Sequence, residues 1–124
     1  MVTGPSGSGK SSLCLQLIAL GARLIADDLT RLVLRDGWPW ACAPPRLSGV
    51  VEARGIGLLR VPFCEAAPLA LVVDLEVPET ERLPKPAFEK VLGTEVARLQ
   101  RVDAPHFPSA IMALAKGGRV DHAG

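Results

Sequence analysis

The sequence predicts an α/β fold with a mixed sheet, formed as one domain over residues 1–124. A glycine-rich segment at residues 4–11 passes directly into an apolar segment with the length of a helix. Residues 69–77 are rich in valine and leucine, which is typical of a strand buried on both faces of a sheet. The chain of 124 residues, with 48% hydrophobic and 22% charged residues, has the size and composition of a single folded domain.

The N-terminal part is predicted to alternate strand, helix and strand. Residues 1–3 have room only for the end of a strand, whereas a glycine-rich loop of this kind usually follows about five or six strand residues, so the strand looks truncated. A helix is expected at residues 10–21, with a glycine at its C-terminal cap. Residues 23–26 are expected to form a short strand, which places Asp27 and Asp28 at its C-terminal end.

The next segment has the pattern of a β-hairpin. Residues 32–34 and 38–43 flank Asp36 and Gly37, a dipeptide typical of a two-residue hairpin turn. Pro39 favours an edge position for the second strand, because proline has no N–H to donate to a neighbour.

The C-terminal half is predicted to add strands and one helix. An apolar segment, residues 58–63, follows a glycine-rich stretch, and two prolines, Pro84 and Pro86, leave room for at most a short helix before Gly93. Beyond it, the expected elements are a strand at residues 95–102 and a helix at residues 109–116.

Charge and hydropathy exclude several classes of partner. A formal net charge of +1 predicts no binding to nucleic acid or to an anionic membrane surface. The longest apolar run, residues 66–73, is far shorter than the ~20 residues that cross a bilayer, and Met1 does not begin a secretory leader. A cytoplasmic protein is therefore expected. Three widely spaced cysteines are expected to be buried thiols, namely Cys14, Cys42 and Cys64.

The glycine-rich segment matches the phosphate-binding loop, or P-loop, G-x-x-x-x-G-K-S. Its glycines let backbone N–H groups face the phosphates, and the following helix N-terminus adds positive potential. Lys10 would reach the β- and γ-phosphates, and the Ser11 hydroxyl would bind magnesium. The predicted nucleotide-binding residues are Gly4, Pro5, Ser6, Gly7, Ser8, Gly9, Lys10 and Ser11. The alternative, a serine- and glycine-rich turn, is disfavoured by the helix that follows at once.

Two further sets of charged residues could serve a phosphoryl-transfer site. One carboxylate of Asp27 and Asp28 could accept a proton from an attacking hydroxyl while the other orients the metal shell, or both could be solvated turn residues. Glu52 and Arg54, among several glycines, could bind metal and phosphate, or could lie on an exposed strand face. Spacing alone leaves both alternatives open.

Four segments together resemble the catalytic domain of HPr kinase/phosphorylase. They are GPSGSGKSS, GARLIADD, VEARGIGLLRVPF and ERLPKPAFEKVLGTEVARL, and their order and spacing match over residues 2–99. The glycine-rich loop alone is shared by many families, whereas the ADD and E-x-R-G-x-G segments together are specific. The resemblance is to the short forms that lack the family's N-terminal domain, and it implies a P-loop kinase fold of the HPr kinase type.

The resemblance implies an ATP- and Mg²⁺-dependent kinase that phosphorylates a serine of HPr, a bacterial phosphocarrier, or of a related carrier protein. By resemblance, Lys10 is the loop lysine, Ser11 and Glu52 bind magnesium, and Asp28 exchanges the proton of the serine hydroxyl. Arg82 matches an active-site arginine. Relatives form hexamers, so a homo-oligomer is also implied.

The sequence departs from the family pattern at several places. No residue before the loop corresponds to the family's active-site histidine, and Ser12 and Ala22 stand where relatives usually have glutamate and histidine. Residues 102–108 do not match an arginine-rich stretch that is linked to dephosphorylation. These departures predict that kinase activity exceeds the reverse, phosphorylase activity. The alternative hypotheses are a nucleotide-binding remnant without catalysis and a small-molecule P-loop kinase.

Overall fold

A computed structural model describes residues 1–27, 30–46 and 48–120 of the chain. Over these residues the elements follow the order β1 (Val2–Thr3), α1 (Lys10–Ala19), β2 (Arg31–Arg35), β3 (Trp38–Cys42), β4 (Val50–Ala53), β5 (Gly57–Arg60), β6 (Ala66–Pro68), β7 (Leu71–Pro78), β8 (Ala87–Val91), β9 (Thr94–Arg101) and α2 (Phe107–Gly117).

The main sheet has four strands in the order β1-β7-β9-β8, with β7 in the interior. Strand β7 is parallel to both β1 and β9, whereas β8 is antiparallel to β9, so the predicted mixed sheet is confirmed. The valine-rich strand expected at residues 69–77 is confirmed as β7. Since β1, β7 and β9 run in the same direction, their carboxyl ends meet at one edge of the sheet, where the glycine-rich loop also begins.

The two faces of this sheet contribute to two hydrophobic clusters. On one face, Val73 and Leu75 pack with Leu13 of α1 and with Phe107 and Ile111 of α2. On the other face, β7 contributes Val72, which is fully buried, to a cluster completed by Ala41, Leu69, Val91 and Val96. Burying a side chain of this size stabilises a fold by about 1.5–3 kcal/mol. Strand β7 therefore joins both halves of the core.

The β2–β3 hairpin forms at the predicted position. Asp36 (φ 50°) and Gly37 (φ 76°) both have positive φ, as a type I′ turn requires. The edge position predicted from Pro39 is wrong, because β3 is the middle strand of a second sheet, β2-β3-β6. Leu69 N–H donates to the Pro39 carbonyl (3.0 Å), and the Trp38 indole Nε1 donates to the Leu69 carbonyl (2.8 Å). The indole thus supplies the donor that proline lacks.

Three other sequence predictions need correction. The strand expected at residues 23–26 is reduced to one isolated parallel bridge between Leu24 and Phe63. The short helix allowed before Gly93 is strand β8, which forms a hairpin with β9 through Leu92 (φ 49°) and Gly93 (φ 82°). The expected burial of the cysteines holds for Cys42, whereas Cys14 and Cys64 are half-buried.

The remaining elements agree with the sequence predictions. The strand expected at residues 95–102 is β9, and the helix expected at residues 109–116 is α2, which begins two residues earlier and is followed by Gly118 (φ 70°). The apolar segment 58–63 contributes to β5, which among the described strands pairs with β4 alone in a two-stranded ribbon.

Candidate active site

The glycine-rich loop connects β1 to α1 at the carboxyl edge of the main sheet. Gly4, Gly7 and Gly9 have φ values of 148°, 81° and 96°, which residues with a side chain rarely adopt. Ser8 N–H donates to the Pro5 carbonyl (3.1 Å) and closes the turn. A Cβ on Gly4 would lie 2.7 Å from Ser8 Oγ and 3.3 Å from Leu75 Cβ. The loop is therefore as compact as the P-loop interpretation requires.

Lys10 and Ser11 follow at the first turn of α1. Lys10 Nζ donates to the Gly4 carbonyl (2.6 Å), so its ammonium lies across the loop. Ser11 is exposed beside it. No residue in this first turn is acidic and no side chain caps the helix, so the positive N-terminal potential is not neutralised locally. Such a helix end favours an anion.

Asp27 and Glu52 meet beside α1, although 25 residues separate them in sequence. Asp27 Oδ2 accepts a hydrogen bond from Glu52 N–H (3.1 Å), and β4, which carries Glu52, contacts α1. Asp28, the predicted proton acceptor, lies outside the described residues. The contact joins the Asp27 carboxylate to the backbone of Glu52, the residue predicted to bind the metal.

Cys14 links this carboxylate to the loop lysine electrostatically. Burial raises the pKa of the Cys14 thiol, the Asp27 carboxylate raises it further, and the ammonium groups of Met1 and Lys10 act in the opposite direction. Asp27 and Lys10 are thus close enough to influence the same side chain. Lys10 and Cys14 lie one helical turn apart on α1, and Asp27, which is bonded to Glu52 N–H, is near enough to Cys14 to affect its pKa.

Arg82 is positioned less closely. It lies in the connection between β7 and β8, which leaves the sheet at the same edge as the glycine-rich loop. Its side chain is exposed, and within the described part of the chain it makes no hydrogen bond or ion pair with another predicted site residue. Arg54 is also exposed and shows no such contact among those residues.

Asp74 is a residue at this edge that sequence reasoning missed. It pairs in register with Thr3, the residue before Gly4, and its Oδ1 accepts a hydrogen bond from Glu76 N–H (2.9 Å). The available signal was an acidic residue directly after the buried pair Val72 and Val73. Because it lies on β7 beside β1, Asp74 adds a half-buried carboxylate next to the loop.

Comparison with known proteins identifies the family of the chain. The family model of the HPr serine kinase C-terminal domain matches residues 1–100. The chain belongs to this family. HPr kinase/phosphorylase from Leptothrix cholodnii is 42% identical over 114 residues, which is 80% of this chain and 35% of that protein. HPr kinase/phosphorylase from Xanthomonas campestris pv. campestris is 36% identical over 107 residues, which is 79% of this chain and 33% of that protein.

A solved structure supports the fold of this HPr kinase C-terminal domain. The Hpr(Ser) kinase/phosphatase from Coxiella burnetii has a TM-score of 0.74 and 24% sequence identity to it, covering 92% of this chain and 78% of that one. The α/β fold predicted from the sequence is confirmed. The chain spans about a third of the length of the curated relatives it matches.

The donor atoms in this HPr kinase domain suit Mg²⁺. Ser11, Asp27 and Glu52 offer only hydroxyl and carboxylate oxygens, which hard cations prefer. Within residues 1–27, 30–46 and 48–120, no three His, Cys, Asp or Glu side chains cluster as a metal site. Mg²⁺ keeps several water ligands and needs only one or two carboxylates plus substrate phosphates, so the donor set fits.

Helices α1 and α2 have 10 and 11 residues, whereas a helix that spans a bilayer needs about 20. Over the described residues, neither α1 nor α2 has the length and apolar composition needed to cross one.

Proposed function

We propose that this chain is the catalytic domain of an ATP- and Mg²⁺-dependent kinase that phosphorylates a serine of HPr or of a related phosphocarrier. The observation that carries the proposal is the compact glycine-rich loop with Lys10 across it and the Asp27–Glu52 contact beside it. Membership of the HPr serine kinase family and the names of the relatives support HPr as the acceptor.

The nucleotide would bind through the loop. Backbone N–H groups of residues 6, 7 and 9 and the N-terminus of α1 would hold the phosphates, and the Lys10 ammonium would neutralise charge on the transferred group. To do so it exchanges the Gly4 carbonyl for phosphate oxygens. Ser11 and Glu52 would hold Mg²⁺, which neutralises charge on the phosphates when it is bound.

The acceptor serine would be activated by Asp28. A carboxylate within hydrogen-bond distance of the hydroxyl takes its proton as the oxygen attacks the γ-phosphorus, a role that contributes about 10²–10⁴-fold in rate. Asp27, which accepts a hydrogen bond from Glu52 N–H, would position the strand segment that carries Glu52. Arg82, on the connection above the same sheet edge, would stabilise the charge of the transferring phosphoryl group.

The test is transfer of labelled phosphate from ATP to HPr. Asp28→Asn should abolish transfer and leave Mg-ATP binding largely intact, because the amide keeps the shape but cannot take a proton. Asp27→Asn should cost less, and circular dichroism should show that both variants are folded. A dead Asp27→Asn with a nearly normal Asp28→Asn would shift the assignment by one residue.

The same assay separates the alternatives. Mg-ATP binding without transfer to any carrier would favour a non-catalytic nucleotide-binding domain, and transfer to a small molecule alone would favour a small-molecule kinase. Incubation of phospho-HPr with inorganic phosphate tests direction, and we expect it to be slower than the forward reaction. By resemblance we also propose a hexamer, which sedimentation velocity would test.

A further inference from the structure

We infer that the outer face of the β4–β5 ribbon docks the acceptor protein, which would present apolar side chains around its serine and acidic groups beside them. This inference rests on the proposed function and extends it from the reacting groups to recognition of the acceptor. The outer face is defined by the exposed side chains of Glu52, Arg54, Ile56, Leu58 and Arg60.

The two faces of the ribbon differ in burial. On the inner face Val51 is fully buried and Ala53 is nearly so. Because successive side chains of a strand point to opposite faces, Glu52 and Leu58 point away from the core. These two residues are direct partners in the β4–β5 ladder, an arrangement that brings Cβ atoms to about 4.5–5.5 Å of each other. A group that contacts Leu58 therefore lies beside the carboxylate predicted to bind the metal.

The end of the ribbon presents apolar side chains to solvent. Ile56 is 78% exposed and Leu58 is 72% exposed. Single exposed apolar residues are common, but these two are only two residues apart, and Gly55 and Gly57 on either side of Ile56 have no side chains to shield it. An apolar surface next to a reacting group suits a partner that must bring one of its own residues to that group.

The charges on the outer face favour an acidic partner. Arg54 and Arg60 are both exposed, and within the described residues neither guanidinium forms a hydrogen bond or an ion pair. The carboxylate of Glu52 would be neutralised by Mg²⁺ in the proposed site. The surroundings of Leu58 are thus cationic, and carboxylates on an approaching protein would be attracted to them.

A second copy of this chain fits the outer face less well than the acceptor does. A two-fold contact through this face would bring Arg54 and Arg60 of both copies together, and like charges across an interface are unfavourable. A permanent partner on Leu58 would also cover its neighbour Glu52. The acceptor protein binds and leaves in each reaction cycle, so it can use this surface without blocking the site.

The experiment measures the KM for HPr and the KM for Mg-ATP separately, by transfer of labelled phosphate. Leu58→Thr should raise the KM for HPr by about tenfold and leave the KM for Mg-ATP unchanged, because the threonine loses most of the apolar contact with the acceptor. Leu58→Met keeps the apolar surface and should keep the KM for HPr. The matched control is Phe88→Thr, at an exposed position of β8, the edge strand opposite β1, and it should change neither constant.

A second variant tests the charge of the partner. Arg60→Gln should raise the KM for HPr by roughly two- to fivefold at low salt, since one exposed ion pair with the acceptor is lost. The KM of the unmodified chain should rise with salt concentration, and it should rise less in the variant. A KM for HPr that does not depend on salt would overturn the acidic character of the docked surface.

The remaining outcomes separate the inference from the proposed function. Ile56→Thr, at the other exposed apolar position, should also raise the KM for HPr, so the test does not depend on the folding of Leu58→Thr. An unchanged KM for HPr in both variants, or an equal rise in the KM for Mg-ATP, would overturn the inference alone. A smaller oligomer of Leu58→Thr in sedimentation velocity, with an unchanged KM for HPr, would assign the face to contacts between copies instead. Absence of any transfer to HPr by the unmodified chain would overturn the proposed function, and the inference with it.

Discussion

Replacing Gly4 by alanine should destabilise the fold and remove phosphate binding together. At φ 148° the backbone is in a region that costs a side-chain-bearing residue about 1–3 kcal/mol. The new Cβ would also lie 2.7 Å from Ser8 Oγ and 3.3 Å from Leu75 Cβ. The hydroxyl can rotate away, but Leu75 is buried, and its displacement adds about 1 kcal/mol. We expect a total loss of about 2–4 kcal/mol, a large part of the ~5–15 kcal/mol of a typical domain.

Urea-induced unfolding measures this loss, with Gly7→Ala as the matched control. Gly7 also has positive φ, 81°, but a Cβ there would meet no atom within 4 Å, so its cost is about 1–2 kcal/mol from the backbone alone. Titration with Mg-ATP should show a loss of binding in the Gly4 variant. Equal stability of the two variants, with normal Mg-ATP binding to both, would refute the close packing of the loop on β7.

Three further predictions concern single side chains. Lys10→Ala should weaken Mg-ATP binding by roughly 10- to 150-fold in calorimetry, because the hydrogen bond from the charged ammonium to the phosphates is lost. Unchanged affinity in a folded variant would mean that the loop is only a turn and binds no phosphate. Trp38→Phe should lower the free energy of unfolding by about 1 kcal/mol, since the Leu69 carbonyl loses its donor; an unchanged urea midpoint would contradict this. The pH profile of Cys14 alkylation should have its midpoint above that of free cysteine, and this midpoint should shift down in Asp27→Asn. An unshifted midpoint would show that the Asp27 carboxylate does not act on the Cys14 thiol. Because the folded-state pKa of this thiol is raised, its contribution to stability is present below the unfolded-state pKa and is lost as pH rises through the folded-state value.

Much of the fold could be predicted because its signals are local. The Asp36-Gly37 turn carries its own backbone preference, and the run of valines in β7 identifies a strand covered on both faces. The order of a glycine-rich loop and an apolar helix likewise appears within a short stretch of sequence. These elements need no information from distant residues.

The errors arose where distant residues decide the structure. Pro39 occupies a middle strand only because the indole of Trp38 supplies the missing donor to Leu69, a contact across 31 residues. The β8 strand forms because β9 offers an edge, which outweighs the two prolines before it. In each case a partner from another part of the chain overrides the local preference.

The site was predictable to the same extent. Gly4–Gly9, Lys10 and Ser11 are contiguous, so a motif finds them, whereas the Asp27–Glu52 contact depends on how β4 lies against α1. Asp74 becomes a site neighbour only through the register of β7 on β1.

The separate β4–β5 ribbon has a consequence for how the domain moves. Within the described residues, this ribbon shares no backbone ladder with the main sheet, so its stability depends on the packing of buried Val51 and Ala53 and not on a larger sheet. Its amide protons should therefore exchange with solvent through local opening at a lower free energy than those of β7 and β9, which open only with the whole core. Glu52 lies on the ribbon and Lys10 on the helix beside the core, so the two sides of the site belong to units of different stability. Bound nucleotide, by contacting Glu52, should therefore selectively protect residues 50–60 from exchange.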